Sequence, residues 1–303
     1  MKKSVLFILM LIASLLVLSC SSNQKRTQQT GIFLGGTEGL AVTFEPFGVQ
    51  ENNIFTIYDS EDFPLAVMIK NKGEEVVPIG KAKFKLLGPA QADFQNIPSW
   101  ELTNAQPIEK KTEFNTEGGE ATVTFTPTAF ARYTPEVTSF TDLTWNVEYA
   151  YDYKTHVIVN EVCFKGDITD PRVCEAKGAK TFAVSGAPIQ VKAVTQDTGG
   201  KGIPLLKFQV ENVGGGDATV VGAEFDNRFQ QIGYTIDDPT KWECKSGGRE
   251  NQARFVGNTA EIICKLKEPL TEDQLYVSTV RFNLEYQYKQ LATEKLRIKE
   301  SAK

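Results

Sequence analysis

Trp145-Asn146-Val147-Glu148-Tyr149-Ala150-Tyr151-Asp152-Tyr153 decides the fold of this chain. Every odd position carries a large apolar or aromatic side chain. Asn146, Glu148 and Asp152 occupy the even positions, together with Ala150. A helix would scatter these residues around its axis. A strand puts all five large side chains on one face, so period two over this length requires a strand with one buried side. The same pattern returns as Phe282, Leu284, Tyr286 and Tyr288 against Asn283, Glu285, Gln287 and Lys289. Asn146–Tyr151 and Asn283–Tyr288 match at a spacing of 137 residues.

Further matches follow in the same order, which points to an internal duplication. Phe63–Gly73 before Glu74–Gly80 answers Ile203–Gly214 before Gly215–Gly222. Each is a strand ending in Asn-x-Gly, a turn and another extended segment. Trp100 answers Trp242, and Ala121–Phe125 answers Glu261–Lys265. Glycines and Asn, Asp or Pro clusters separate the strands at intervals typical of β-sandwiches. No convincing helical stripe of ten residues occurs, although Glu268–Leu275, with Pro269, allows one short helical turn. The organisation expected is all-β, with two tandem antiparallel β-sandwich domains at 39–186 and 187–303. Gly186-Ala187-Pro188 is the joint, short enough to limit relative motion. Each domain buries its alternating side chains between two sheets.

Phe208–Ala218, with its Asn212-Val213-Gly214, resembles the strand-and-turn signature of CARDB-type immunoglobulin-like domains, and Met68–Glu75 follows it more loosely. The resemblance covers the beginning of each copy. It implies Ig-like architecture and a surface location in bacteria or archaea, and such modules carry no fixed catalytic set.

The amino terminus sets the destination. Met1-Lys2-Lys3 is a basic head, Val5–Leu18 an apolar run interrupted by Ser14, and Ser19 the small residue before Cys20. This is a secretion signal, too short for a comfortable membrane span. It resembles a bacterial or archaeal lipoprotein signal, with residues 1–19 as the leader and Cys20 as the lipidated residue that holds the chain to the membrane. Residues 20–38 supply the lipidated cysteine and a tether, and Lys25-Arg26 is only a weak lipid-headgroup signal. Loss of Lys2 and Lys3 with the leader takes the formal net charge from −5 to −7. That mildly acidic, scattered charge argues against a nucleic-acid surface.

Outside the cytoplasm disulfides are permitted. Cys163, Cys174, Cys244 and Cys264 allow three pairings, which sequence alone does not separate. The local pairing, Cys163–Cys174 and Cys244–Cys264, closes one loop in each domain and is the one expected. A four-cysteine metal site is disfavoured because no Cys-x-x-Cys hook is present.

The remaining candidate residues have structural readings. Asn-x-Gly forms turns through Asn capping and glycine's tolerance of positive φ. Gly214-Gly215-Gly216 lacks the strand-to-helix context of a phosphate loop. Asp59, Glu61 and Asp62, and Asp167 with Asp170, lack the spacing of a calcium loop and read as turn-forming acids. His156, the single histidine, has no nucleophile in a known arrangement beside it. Glu148 and Glu285 belong to separate copies and do not flank one bond as a glycosidase requires. Tyr149, Tyr151, Tyr153, Tyr286 and Tyr288 read as packing rather than a ligand-facing strip. Loops at the sandwich ends are the better candidates for partner contact. The expectation is a non-enzymatic cell-envelope lipoprotein, without cofactor or metal, whose Ig-like modules serve adhesion, binding of an envelope protein or polysaccharide, or envelope structure. A carbohydrate-associated enzyme or accessory binding protein is the alternative.

Overall fold

The computed structural model describes residues 32–172, 174–226 and 228–302. The leader, Cys20 and most of the tether lie outside them. Strands and their turns account for nearly all of this body, as the alternating pattern requires. The helical element among the described residues is the three-residue 3-10 turn Gln91–Asp93. The segment after Pro269, where the sequence allows one short turn, forms a hydrogen-bonded turn from Gln274 N–H to Thr271 C=O.

Two long strands, Phe140–Lys165 and Leu275–Lys299, form the axis of the molecule. They run antiparallel and pair from Phe140↔Lys299 to Lys165↔Leu275, with one bulge between Val159 and Val162. They sit at the centre of a ten-stranded sheet that draws strands from both halves of the chain. A three-stranded sheet, Leu40–Phe44, Ala66–Asn71 and Glu120–Thr124, accompanies the first half. A six-stranded sheet built on Ile189–Gly200, Ile203–Asn212, Thr259–Leu266 and Trp242–Ser246 accompanies the second. Phe208 of the six-stranded sheet stacks on Phe282 of a long strand at 4.2 Å, so the layers meet through the apolar faces predicted for them. The buried residues of both halves form a single hydrophobic cluster.

At 26 and 25 residues the long strands far exceed the usual strand of about 3–10, and the excess crosses over. Along Asn146–Tyr151 the first long strand pairs with Ala82–Gly88 of its own half. Its later part, Val157–Val159, lies opposite Val280–Phe282 and under the six-stranded sheet, with Thr155 Oγ1 donating to Ile189 C=O at 2.7 Å. The second long strand starts beside Gln231–Ile236 of its own half. Its end, Leu296–Lys299, pairs in parallel with Phe55–Tyr58 of the first half. The body is therefore all-β and sandwich-like, with two lobes knitted by exchanged strand ends. The Gly186-Ala187-Pro188 joint lies at the waist, where it carries no hinge. Gly186 N–H donates to the Glu74 carboxylate at 2.6 Å, and the same carboxylate accepts from Leu34 N–H at 2.9 Å and Gly35 N–H at 2.8 Å.

Hydrogen bonding also revises how the copies superpose. Leu40 faces Asn71 in the first copy and Ile189 faces Asn212 in the second. Tyr153 donates to Asn71 Oδ1 at 3.0 Å, and Tyr288 donates to Asn212 Oδ1 at 2.8 Å. Tyr153 therefore answers Tyr288, a spacing of 135 residues instead of 137. Trp100 and Trp242 are not equivalents. Trp100 precedes Glu101–Thr103, which pairs with Ala82–Gly88 in the large sheet, whereas Trp242 opens a strand of the six-stranded sheet.

Candidate functional site

Each Asn-x-Gly builds the same latch. The Asn71 side-chain oxygen accepts from Tyr153 O–H and from Gly73 N–H at 3.1 Å, and its amide donates to Glu75 C=O at 2.7 Å. Glu75 N–H returns a bond to Tyr153 Oη at 3.3 Å. Asn212 repeats all of this with Tyr288, Gly214 and Gly216. The glycine is needed for close approach and not for positive φ. A Cβ on Gly73 would collide with the Tyr153 hydroxyl, and one on Gly214 would stand 2.6 Å from that of Tyr288. Positive φ falls instead on Gly215, at 74°.

All five tyrosines of the pattern are buried. Burial pushes Tyr149 and Tyr288 up to about 12 and holds Tyr151, Tyr153 and Tyr286 well above the usual phenol range. They are packing and latch residues; no ligand reaches them without opening the core.

The other candidates lie apart from one another. Glu148 pairs with Lys289 at 3.6 Å and Glu285 with Lys154 at 3.2 Å on the outer face of the central sheet. His156 bridges the halves, with Nε2 2.9 Å from Glu75 Oε2 and Nδ1 2.9 Å from Asn283 Oδ1. The Glu75 bond raises its pKa against the opposing effect of partial burial, and the Asn283 bond adds to the rise. Asp59 accepts from Ser301, Glu61 from Tyr58 N–H, and Asp62 binds Arg132 at 2.6 Å. Asp167 accepts from Thr169, and Asp170 pairs with Arg172 at 2.6 Å. Among the described residues no group of three His, Cys, Asp or Glu side chains is placed to hold a metal ion.

Cys163 is bonded to Cys174 and Cys244 to Cys264. Cys244 and Cys264 face each other on neighbouring strands of the six-stranded sheet. Cys163 falls within the first domain expected from the sequence, 39–186, but lies in the second lobe, opposite Val277, with its backbone held by the Gln196 amide. Both cross-links therefore stabilise one lobe, whereas the sequence had placed one in each.

Two of the surface concavities formed by the described residues have the volume and lining to hold a ligand. One, about 630 Å³, lies over the six-stranded sheet and contains Lys192, Lys245, Arg249 and Arg254 beside Glu211 and Glu261. Two of its cations are engaged: Lys245 pairs with Glu243 at 2.6 Å, and Arg254 covers the Phe229 ring at 3.5 Å. The other, about 710 Å³, is a cleft at the end of the second lobe, between the Asp237–Trp242 turn, the 267–274 segment and the start of the second long strand. Its floor is aromatic. Phe164 and Trp242 are buried against each other at 6.0 Å, and Tyr276 stacks on Phe164 at 4.7 Å with the rings 4° from parallel. Tyr276 itself is 46% exposed. Sequence reading pointed to sandwich-end loops without choosing one. The signal present was Asp237-Asp238-Pro239, a turn between strands and just before a tryptophan.

No family model matches the sequence, and no curated protein matches it. Among solved structures, the chain aligns with a secreted serine protease, VesC, from Vibrio cholerae at 9% identity and a TM-score of 0.21. That alignment covers 84% of this chain and 51% of the protease, so the chain spans about half the length of that protein. A serine-rich repeat adhesion glycoprotein, Srr1, from Streptococcus agalactiae aligns at 9% identity and a TM-score of 0.20, covering 90% of this chain and 100% of that one. Likeness this slight carries no argument about function.

Proposed function

We propose that this chain is a non-enzymatic cell-envelope lipoprotein, held to a membrane through Cys20, whose two Ig-like modules present a binding surface outside the cytoplasm. The observation that carries this reading is the crossing of the long strands. It makes one stiff body from two modules, a form suited to displaying loops at a fixed place and orientation. The disulfides accord with an oxidising compartment. No helix among the described residues is long and apolar enough to cross a membrane. The acids and the histidine that chemistry would recruit are tied into ion pairs and turns.

Fractionation of cells expressing the full chain tests this reading. The mature protein is expected in the membrane fraction, accessible to protease added to intact cells or spheroplasts, with a diacylglyceryl mass on Cys20. Cys20→Ser should abolish that mass. An intact leader on a cytosolic product overturns the proposal.

A further inference from the structure

We infer that the cleft at the end of the second lobe is a binding site for a neutral oligosaccharide, with Tyr276 as its stacking platform. This rests on the reading of the chain as a presenting module and names the ligand class that module takes.

The platform is built to stay in place. One face of the Tyr276 ring is held parallel on Phe164, which is itself backed by Trp242 in the core. Tyr276 is nevertheless about half-exposed and lines the cleft. A fixed, half-exposed aromatic loses little entropy when a flat ligand settles on it. The C–H face of a pyranose is such a ligand, since the negative face of the ring attracts its polarised hydrogens.

The walls supply what sugar hydroxyls need. Asp237 and Gln274 line the cleft with Thr240, Ser278 and Thr279. Together they offer a carboxylate, a side-chain amide and three hydroxyls, so both donors and acceptors surround the platform. Two of these groups are already positioned: Asp237 Oδ2 accepts from Arg281 N–H at 3.0 Å, and Gln274 Oε1 accepts from Thr271 N–H at 2.9 Å. The second carboxylate oxygen and the Gln274 N–H₂ are the groups that remain to meet a ligand.

Charge narrows the class further. Asp237, Asp238 and Glu268 line the cleft against Lys241 and Lys267. Lys241 is paired with Asp238 at 2.7 Å, and Lys267 donates to Pro239 C=O at 2.9 Å. A polyanion would meet more acid than free cation here, and an apolar peptide would leave these polar groups without partners. A neutral polyhydroxylated ligand satisfies both constraints.

The position suits display. The chain enters the body at the waist, where Glu74 holds Leu34 and Gly35. Asp152 and Gln287 face each other there. Residues 276–287 of the long strand, at about 3.3 Å each, put the cleft roughly 36 Å from that point.

The test uses the full-length chain in detergent micelles, titrated with cello-, malto-, manno- and chito-tetraose and, as the anionic arm, dextran sulfate. At least one neutral tetraose should bind saturably. Tyr276→Ala should weaken that binding by about ten-fold or more, Tyr276→Phe by no more than about three-fold, and Gln274→Ala measurably. Near-UV circular dichroism checks that each variant stays folded. Absence of binding by all four tetraoses, binding by dextran sulfate alone, or binding indifferent to both Tyr276→Ala and Gln274→Ala overturns the inference. Binding is measured on purified protein and fractionation on cells, so either proposal can fail alone.

Discussion

The two lobes share one plan and hold it together by different means. The first lobe has no cross-link among its described residues and a crowded aromatic centre. Trp145 lies within 6.1 Å of Phe47, Phe63, Phe94 and Trp100, ring centre to ring centre. The second lobe has fewer such contacts, chiefly Phe208 and Tyr234 on Phe282, and carries both disulfides. Its long loops, 166–177 and 267–274, lie at one end with the cleft. A lobe whose large rings fill its centre needs no sulfur. The second lobe carries one cross-link between buried cysteines inside its six-stranded sheet and another that ties the 166–177 loop to the long strand. The latch is common to both because it locks each covering sheet to the central one, whatever fills the space between.

Breaking each lobe's own device is expected to have the largest effect. Trp145→Ala should cost about 3–5 kcal/mol by leaving a cavity among four rings. Trp145→Phe should cost clearly less, since the buried indole N–H has no hydrogen-bond partner to lose. On the other side, Cys244→Ala with Cys264→Ala should cost about 2–4 kcal/mol. Both sets are measured by denaturant melts. Because the lobes share a sheet, each should lower a single common transition. Two separate transitions would break the picture of knitted lobes.

The latches sharpen the comparison at a smaller scale. Tyr153→Phe and Tyr288→Phe each leave a buried Asn oxygen and a backbone N–H short of a partner, at about 1–3 kcal/mol. The second latch has the shorter bonds to its tyrosine, 2.8 and 2.7 Å against 3.0 and 3.3 Å, so Tyr288→Phe should cost more. Equal losses would show that the two latches contribute alike.

The smallest effect belongs to His156, which sits between the copies. Its pKa is raised above the ordinary 6.5, chiefly by Glu75. The folded state therefore binds its proton more tightly than the unfolded chain does. Its contribution is complete below pH 6.5 and lost as pH rises through the folded midpoint. The group is partly exposed, so the gain is small. As the single histidine it gives one imidazole signal by NMR, whose midpoint should lie above 6.5 and fall in Glu75→Gln.

Much of this was legible in the chain because side-chain alternation records burial directly. Trp145–Tyr153 and Phe282–Tyr288 are strands with the expected faces inward. What escaped was which lobe each strand end serves. A strand reads the same whether its neighbour comes from its own copy or the other, since alternation encodes the face and not the partner. The spacing of 137 residues failed for a related reason. A shift of two residues leaves every side chain on its face, so only the Asn–Tyr bonds separate 137 from 135. The end cleft was illegible because Phe164, Trp242 and Tyr276 come from distant stretches that meet only when the long strands pair. Likewise, Cys163 reads as a first-domain residue until its strand is followed across the waist.

The interleaving of the long strands has a consequence for biogenesis. The chain emerges from the ribosome amino end first, yet Leu296–Lys299 completes the sheet begun by Ile54–Tyr58. The first lobe must wait, with an open edge, for a stretch made about 240 residues later. Maturation is thus concerted and late, and loss of Leu296–Lys299 would injure a portion of the molecule made well before it.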